Sequence, residues 1–119
     1  MKKALVPLAE GFEDLEAVAV IDVLRRGGVQ VVTAALGADR WVASSHGIRM
    51  EADRLLTDVL DEDYDAIVLP GGGKGTANLK ACAPLAERLR KQKADGGFVC
   101  AICAAPTVLE VAGVLAHEQ

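Results

Sequence analysis

The chain has 119 residues, enough for one small domain around a single core, and 51% of them are apolar. Its net charge of −4 and its scarcity of aromatic residues argue against a nucleic-acid surface. No apolar run approaches the roughly 20 residues of a membrane span, so a membrane partner is not expected. Lys2 and Lys3 lead into a run already interrupted by Glu10 and Glu13, which does not read as a secretion signal. Three cysteines, an odd number, then point to reduced thiols in the cytoplasm.

In chain order, Lys3 to Ala9 reads as a buried strand, with Pro7 near its end or at a bulge. Glu10 to Asp14 is a turn. The apolar spacing from Leu15 to Leu24 predicts a helix ending at Arg25-Arg26, stopped by Gly27-Gly28. Val29 to Ala35 is a second, β-branched strand. Strand, helix and strand within about 35 residues make a βαβ unit and imply a largely parallel sheet.

Trp41 to Ser44 and Ile48 to Met50 flank Ser45-His46-Gly47 as a small hairpin. Leu55, Leu56, Val59 and Leu60 make a short helix. Tyr64 to Pro70 is the next parallel strand, running into Gly71-Gly72-Gly73-Lys74-Gly75. Residues 76–81 and 84–94 read as helices, the second with Pro84 in its first turn. Gly96-Gly97 then opens a strand through Ile102. At Cys103 that strand turns sharply into a helix containing Pro106, in the manner of a nucleophile elbow.

In an open α/β sheet, sites form beyond the carboxyl ends of the strands. Three such ends carry chemistry here: Gly11 to Glu16, Gly71 to Gly75, and Cys103. If their strands are neighbours, a carboxylate, a glycine-rich backbone loop and a thiol converge. The glycine run is neither a phosphate loop nor a dinucleotide fingerprint, because its spacing fits neither. It is a tight strand-to-helix turn, or a set of N–H groups offered to an oxyanion. Cys100 and Cys103 lie three apart on a strand, on opposite faces and about 10 Å apart, too far for a disulfide. Cys100 is therefore expected in the core, and Cys82 at a helix junction as a bystander thiol. A thiol at position 103 precedes a helix N-terminus, whose partial charge favours thiolate. Glu16, with Glu10, Glu13 and Asp14 as competitors, assists as a protonated acid that donates a hydrogen bond to the thiolate. His46 reads as solvated, and His117 sits near the terminus. No Cys/His spacing suits zinc, and no metal or cofactor is expected.

These motifs together resemble the ThiJ/PfpI superfamily, in the branch of the parkinsonism-linked deglycase and its bacterial relatives. Gly11-Phe12-Glu13-Asp14-Leu15-Glu16, Tyr64 to Gly72 and Ala101-Ile102-Cys103-Ala104-Ala105-Pro106-Thr107 carry the resemblance, which runs along essentially the whole chain. It implies a flavodoxin-like open parallel sheet with helices on both faces. It also implies that Cys103 is the reactive, readily oxidised nucleophile and Glu16 its protonated partner. The oxyanion and substrate-binding positions would be Gly71, Gly72, Ala104 and Gly11. The peptidase-like branch carries histidine after the nucleophile; Ala104 stands here instead. The expected activity is therefore a glutathione-independent glyoxalase or deglycase acting on methylglyoxal, glyoxal or their adducts, as a homodimer. The alternative is a stress-sensing chaperone that uses oxidation of Cys103. His46 replaces an arginine usual in the hairpin and contributed across the dimer. Members of the superfamily run past residue 119, so the C-terminal part of the fold is expected from a second polypeptide.

Overall fold

The computed structural model describes residues 2–102 and 108. The elements are β1 (Lys3–Leu8), α1 (Asp14–Arg26), β2 (Gln30–Ala35), β3 (Trp41–Ala43), β4 (Arg49–Glu51), β5 (Arg54–Leu55), α2 (Leu56–Val59), β6 (Ala66–Leu69), α3 (Gly73–Lys80), α4 (Ala83–Ala94) and β7 (Phe98–Ala101). Five strands form a parallel sheet in the order β5-β2-β1-β6-β7, and β3 and β4 pair separately as an antiparallel hairpin. No helix among the described residues is long and apolar enough to cross a membrane.

Strand side chains alternate between faces, and the sheet accordingly divides two cores. Leu5, Ile67 and Leu69 point to one face, where Leu56, Val59, Leu79, Leu85, Leu89 and Val108 cover them. Val6, Leu8, Val31 and Val68 point to the other, against Ala17 and Ile21 of α1 and the side chain of Phe12. Both faces are thus helix-covered in part, as parallel sheets require. On the first face, Tyr64 donates its hydroxyl hydrogen to the Val59 carbonyl at 2.8 Å, and burial pushes the phenol up to about 12.

Glu13 caps α1: its carboxylate accepts from the Leu15 N–H at 2.9 Å, and Asp14 and Glu16 follow in the first turn. Negative charge there complements the helix dipole, as Arg25 and Arg26 do at the other end. Pro7 is one residue from the end of β1, past its last paired position with β6, so its missing N–H removes no bond there.

Three features depart from the sequence reading. β5 is a two-residue edge strand ahead of α2, too short to leave a pattern. Helix α3 begins at Gly73 rather than at residue 76, despite the poor helix propensity of glycine. Gly75 explains that start: a Cβ there would lie 2.8 Å from Phe12 Cα, so only glycine lets this turn rest against the β1–α1 loop. Finally, Cys100 is exposed rather than in the core. It and Phe98 share one face of β7, at the sheet's edge, while Val99 and Ala101 pack inward on the other. Cys82 is half-buried at the N-cap of α4 and touches the core.

Candidate functional site at the carboxyl edge of the sheet

The strand order makes β1, β6 and β7 neighbours, so the three chemistry-bearing ends lie side by side. The β6–β7 ladder continues past the strands, with the Ile102 N–H donating to the Leu69 carbonyl at 3.1 Å. Cys103 is the next residue. Cys103, Ala104, the elbow, the helix containing Pro106, and His117 all lie outside the described residues.

Phe12, only 1% exposed, anchors the β1–α1 loop in the core under α1. That loop is bonded to two other stretches of chain. Toward the glycine-rich turn, the Glu13 N–H donates to the Gly71 carbonyl (2.9 Å) and the Gly75 N–H to the Gly11 carbonyl (3.2 Å). From α3, the Asn78 side-chain amide donates to the Glu10 carbonyl at 2.8 Å. Toward the hairpin, the Gly11 N–H donates to the Ala43 carbonyl (2.9 Å) and the Ser45 N–H to the Phe12 carbonyl (2.8 Å). The Glu10 carboxylate accepts from the Ala43 N–H. Gly11 turns with φ +86° and Gly72 with φ +102°, conformations that glycine adopts without strain. A Cβ on Gly72 would lie 2.7 Å from the Gly11 carbonyl oxygen.

Glu16 is half-buried in the first turn of α1, and its Oε1 accepts from the Gly71 N–H at 3.0 Å. The carboxyl group is therefore carried across from β1's side to the end of β6, next to the strand that leads to Cys103. The same bond changes the reading of Gly71. Its N–H is engaged by Glu16, rather than offered to a substrate oxygen as the sequence suggested. Of the other competitors, Glu10 ties the hairpin and Glu13 caps the helix.

Asp14 and His46 meet from 32 residues apart, with Asp14 Oδ1 at 2.9 Å from His46 Nδ1. His46 was expected to be solvated; its ring is largely exposed but held by this contact. The Ser44 hydroxyl accepts from the His46 and Ile48 N–H groups and fixes the turn beneath it. The hydrogen bond to Asp14 raises the imidazole above its ordinary value of 6.5, helped by the charges of Asp14 and Glu13. The same hydrogen bond lowers the Asp14 carboxyl below 3.8. A raised imidazole stabilises the fold fully below 6.5, and that contribution is lost as pH rises through the raised value. At the acid end it is lost as pH falls through the lowered carboxyl value. In a proton NMR titration the His46 midpoint should therefore lie above 6.5 and fall back in Asp14→Asn. An unchanged midpoint would show that the contact does not persist in solution. Glu13, Asp14 and His46 also hold their donor atoms within 4.8 Å of one another, the one such group among the described residues. These side chains already serve the helix cap and the ion pair.

An open parallel sheet with laced loops and a carboxylate at its carboxyl edge defines an α/β protein of the doubly wound type, with its candidate site where such sheets place one. The chain belongs to the DJ-1/PfpI family, whose model matches residues 2–119. It is 49% identical over 107 residues to Protein DJ-1 homolog B of Arabidopsis thaliana, covering 90% of this chain and 24% of that protein. It is 40% identical over 118 residues to the glutathione-independent glyoxalase DJR-1.2 of Caenorhabditis elegans, covering 98% and 62%. The structure of oxidised Toxoplasma gondii DJ-1 superposes with a TM-score of 0.97 at 41% identity, covering 100% of this chain and 65% of that one. The chain thus spans less than two thirds of these relatives' length.

Proposed function

We propose that the chain is the nucleophile-bearing part of a cofactor-independent enzyme that converts methylglyoxal or glyoxal to the corresponding hydroxy acid. The observation that carries this reading is the Glu16 carboxyl, bonded to the Gly71 N–H beside the strand that delivers Cys103. The Cys103 thiolate adds to the aldehyde carbon, forming a C–S bond and an oxyanion. Backbone N–H groups at Gly72 and around Cys103–Ala104 hold that oxyanion, and the Gly11 turn closes the pocket. Glu16 gives its proton to the oxyanion and, now a carboxylate, takes the proton from the aldehyde-derived carbon and returns it to the neighbouring carbon through an enediol. The first carbon is thereby oxidised and the second reduced. Water then cleaves the thioester, releasing lactate or glycolate and restoring the thiol, so no outside oxidant or reductant is consumed. The glyoxalase name of the nematode relative supports this chemistry; deglycation of adducts would use the same first step.

Cys103→Ser should abolish D- or L-lactate production from methylglyoxal, read by enzymatic lactate assay. Turnover at the parent rate would remove Cys103 from the mechanism. The oxidised state of the Toxoplasma relative favours a second reading, a redox-sensing chaperone. Mild peroxide that leaves a sulfinate on Cys103 and switches on suppression of client aggregation would support sensing; simple inactivation supports the enzyme.

The same reading makes the protein a cytoplasmic homodimer. Leu15 (77% exposed) and Val18 (49%) stand out from α1 as an apolar face for the second copy, with His46 near its rim. A monomer mass by light scattering would exclude that dimer.

A further inference from the structure

Among the described residues one charged side chain is buried, that of Arg88 on α4, which is 5% exposed. A charged residue is rarely buried unless it is paired. No carboxylate lies within ion-pair distance of this guanidinium among the described residues. Its Nη2 donates to the Glu62 carbonyl at 3.1 Å, and its Cζ lies 5.5 Å from the centre of the Tyr64 ring. Nε and Nη1 are buried with no acceptor among the described residues. Nε carries one hydrogen and Nη1 two, all of them donors. The groups around them are already committed. The Glu62 carboxylate is taken by Lys3 and by Arg54. Gln92, one turn further along α4, donates its amide hydrogen to the Tyr64 carbonyl at 2.8 Å. Buried donors without a partner call for a water or an ion, and the complement of a buried guanidinium is an anion.

We propose that the amino edge of the sheet carries a site for a small oxyanion, a phosphate or carboxylate group, held by the Arg88 guanidinium with Lys3 beside it. Arg88 lines a cavity of about 550 Å³ together with Lys2, Lys3, Tyr64 and Gln92. Lys2 and Lys3 stand at the start of β1, and Tyr64 just before β6. This end of the sheet is therefore the one opposite the edge that leads to Cys103. Lys3 Nζ lies 5.2 Å from the centre of the same Tyr64 ring, so two cations converge on that side chain. Asp63, Asp65 and Asp95 also line the cavity, but all three are exposed, where water and salt screen them. Asp65 moreover accepts from the Lys3 main-chain N–H at 2.8 Å. The buried guanidinium has no such screening, so it sets the sign of the ligand. Its planar, rigid set of donors suits the oxygens of a phosphate or carboxylate. The proposal uses none of the residues assigned to the glyoxalase chemistry and holds whether or not that chemistry is right.

The test titrates the protein with sodium phosphate and, separately, with sodium acetate, at fixed pH and with ionic strength held constant by sodium chloride. The arginine Nε–H resonances are followed by NMR. The Arg88 resonance is expected to shift and saturate, while that of Arg26, exposed and paired with Asp22, does not saturate. Saturation by phosphate assigns a phosphate group, and saturation by acetate a carboxylate group. No saturable shift with either would overturn the proposal, as would an equal shift with chloride alone. An Arg88 resonance that moves only in Asp63→Asn or Asp95→Asn would show pairing within the chain and overturn it as well. Arg88→Met supplies the second measurement, since it keeps an apolar stem and removes the charge. The parent should melt several degrees higher in the saturating anion than in chloride, and the variant should not. Phosphate also stabilises proteins by exclusion from their surface, so equal gains in parent and variant count against the site. The Arg88 resonance is assigned through bonds in the parent, so the titration decides the matter even if Arg88→Met does not fold.

Discussion

Glu16→Gln is expected to lower lactate formation from methylglyoxal by about 10²- to 10⁴-fold, the range lost with a positioned acid–base group. The fold should hardly change. Gln is nearly isosteric with Glu, and its amide oxygen can still accept from the Gly71 N–H as Glu16 Oε1 does. What Gln cannot do is take up a proton from carbon and return it. Glu16→Ala separates the two roles. It removes the proton carrier and also leaves the Gly71 N–H without its acceptor, at a further cost of about 1–3 kcal/mol in stability if that group stays buried. The pair of variants is read by single-turnover lactate release and by urea denaturation. Parent activity in Glu16→Gln would show that this carboxyl does not handle the proton.

The second large effect lies in the backbone. Gly72→Ala should destabilise the chain by about 3 kcal/mol, combining a backbone-handedness penalty of about 1–2 with overpacking of about 1–3. The residue sits at φ +102°, and the added Cβ would lie 2.7 Å from the Gly11 carbonyl oxygen and 2.8 Å from the Glu13 nitrogen. Both contacts are backbone, so neither can swing aside. Gly73→Ala, one residue on, is the control. It enters the first turn of α3 with nothing within 4 Å of the new carbon, and should be neutral or stabilising by up to about 1 kcal/mol. Equal midpoints for the two variants in urea would mean that the close approach of the two loops is absent in solution.

The central strands were readable because they are short apolar runs bounded by turn residues, and α1 because its charges and glycines mark both ends. The candidate site was legible in outline for a topological reason: β1, β6 and β7 are neighbours, so the strands that lead to Glu16, the glycine run and Cys103 lie side by side. Its internal bonding was not. Glu16 and Gly71 are 55 residues apart, and Asp14 and His46 are 32 apart; no local periodicity encodes either pairing. The glycine run reads as a tight strand-to-helix turn, yet the helix already starts at Gly73, where contact with Phe12 overrides the poor helix propensity of glycine. Cys100 is expected in the core once a disulfide with Cys103 is excluded by spacing, yet it lies exposed at the sheet's edge. A strand's sequence states which way each side chain points, but not whether another element lies above it.

The stretch from Glu10 to Asp14 commits Gly11 N–H, Gly11 C=O, Phe12 C=O and Glu13 N–H to partners in the hairpin and in the segment after β6. One extra residue inserted there would shift these groups out of step with both partners at once, and with them the carboxyl that follows two residues later. What this segment must keep is its length. On the proposed chemistry, changes of preference among aldehydes would have to arise from walls that carry no such obligations.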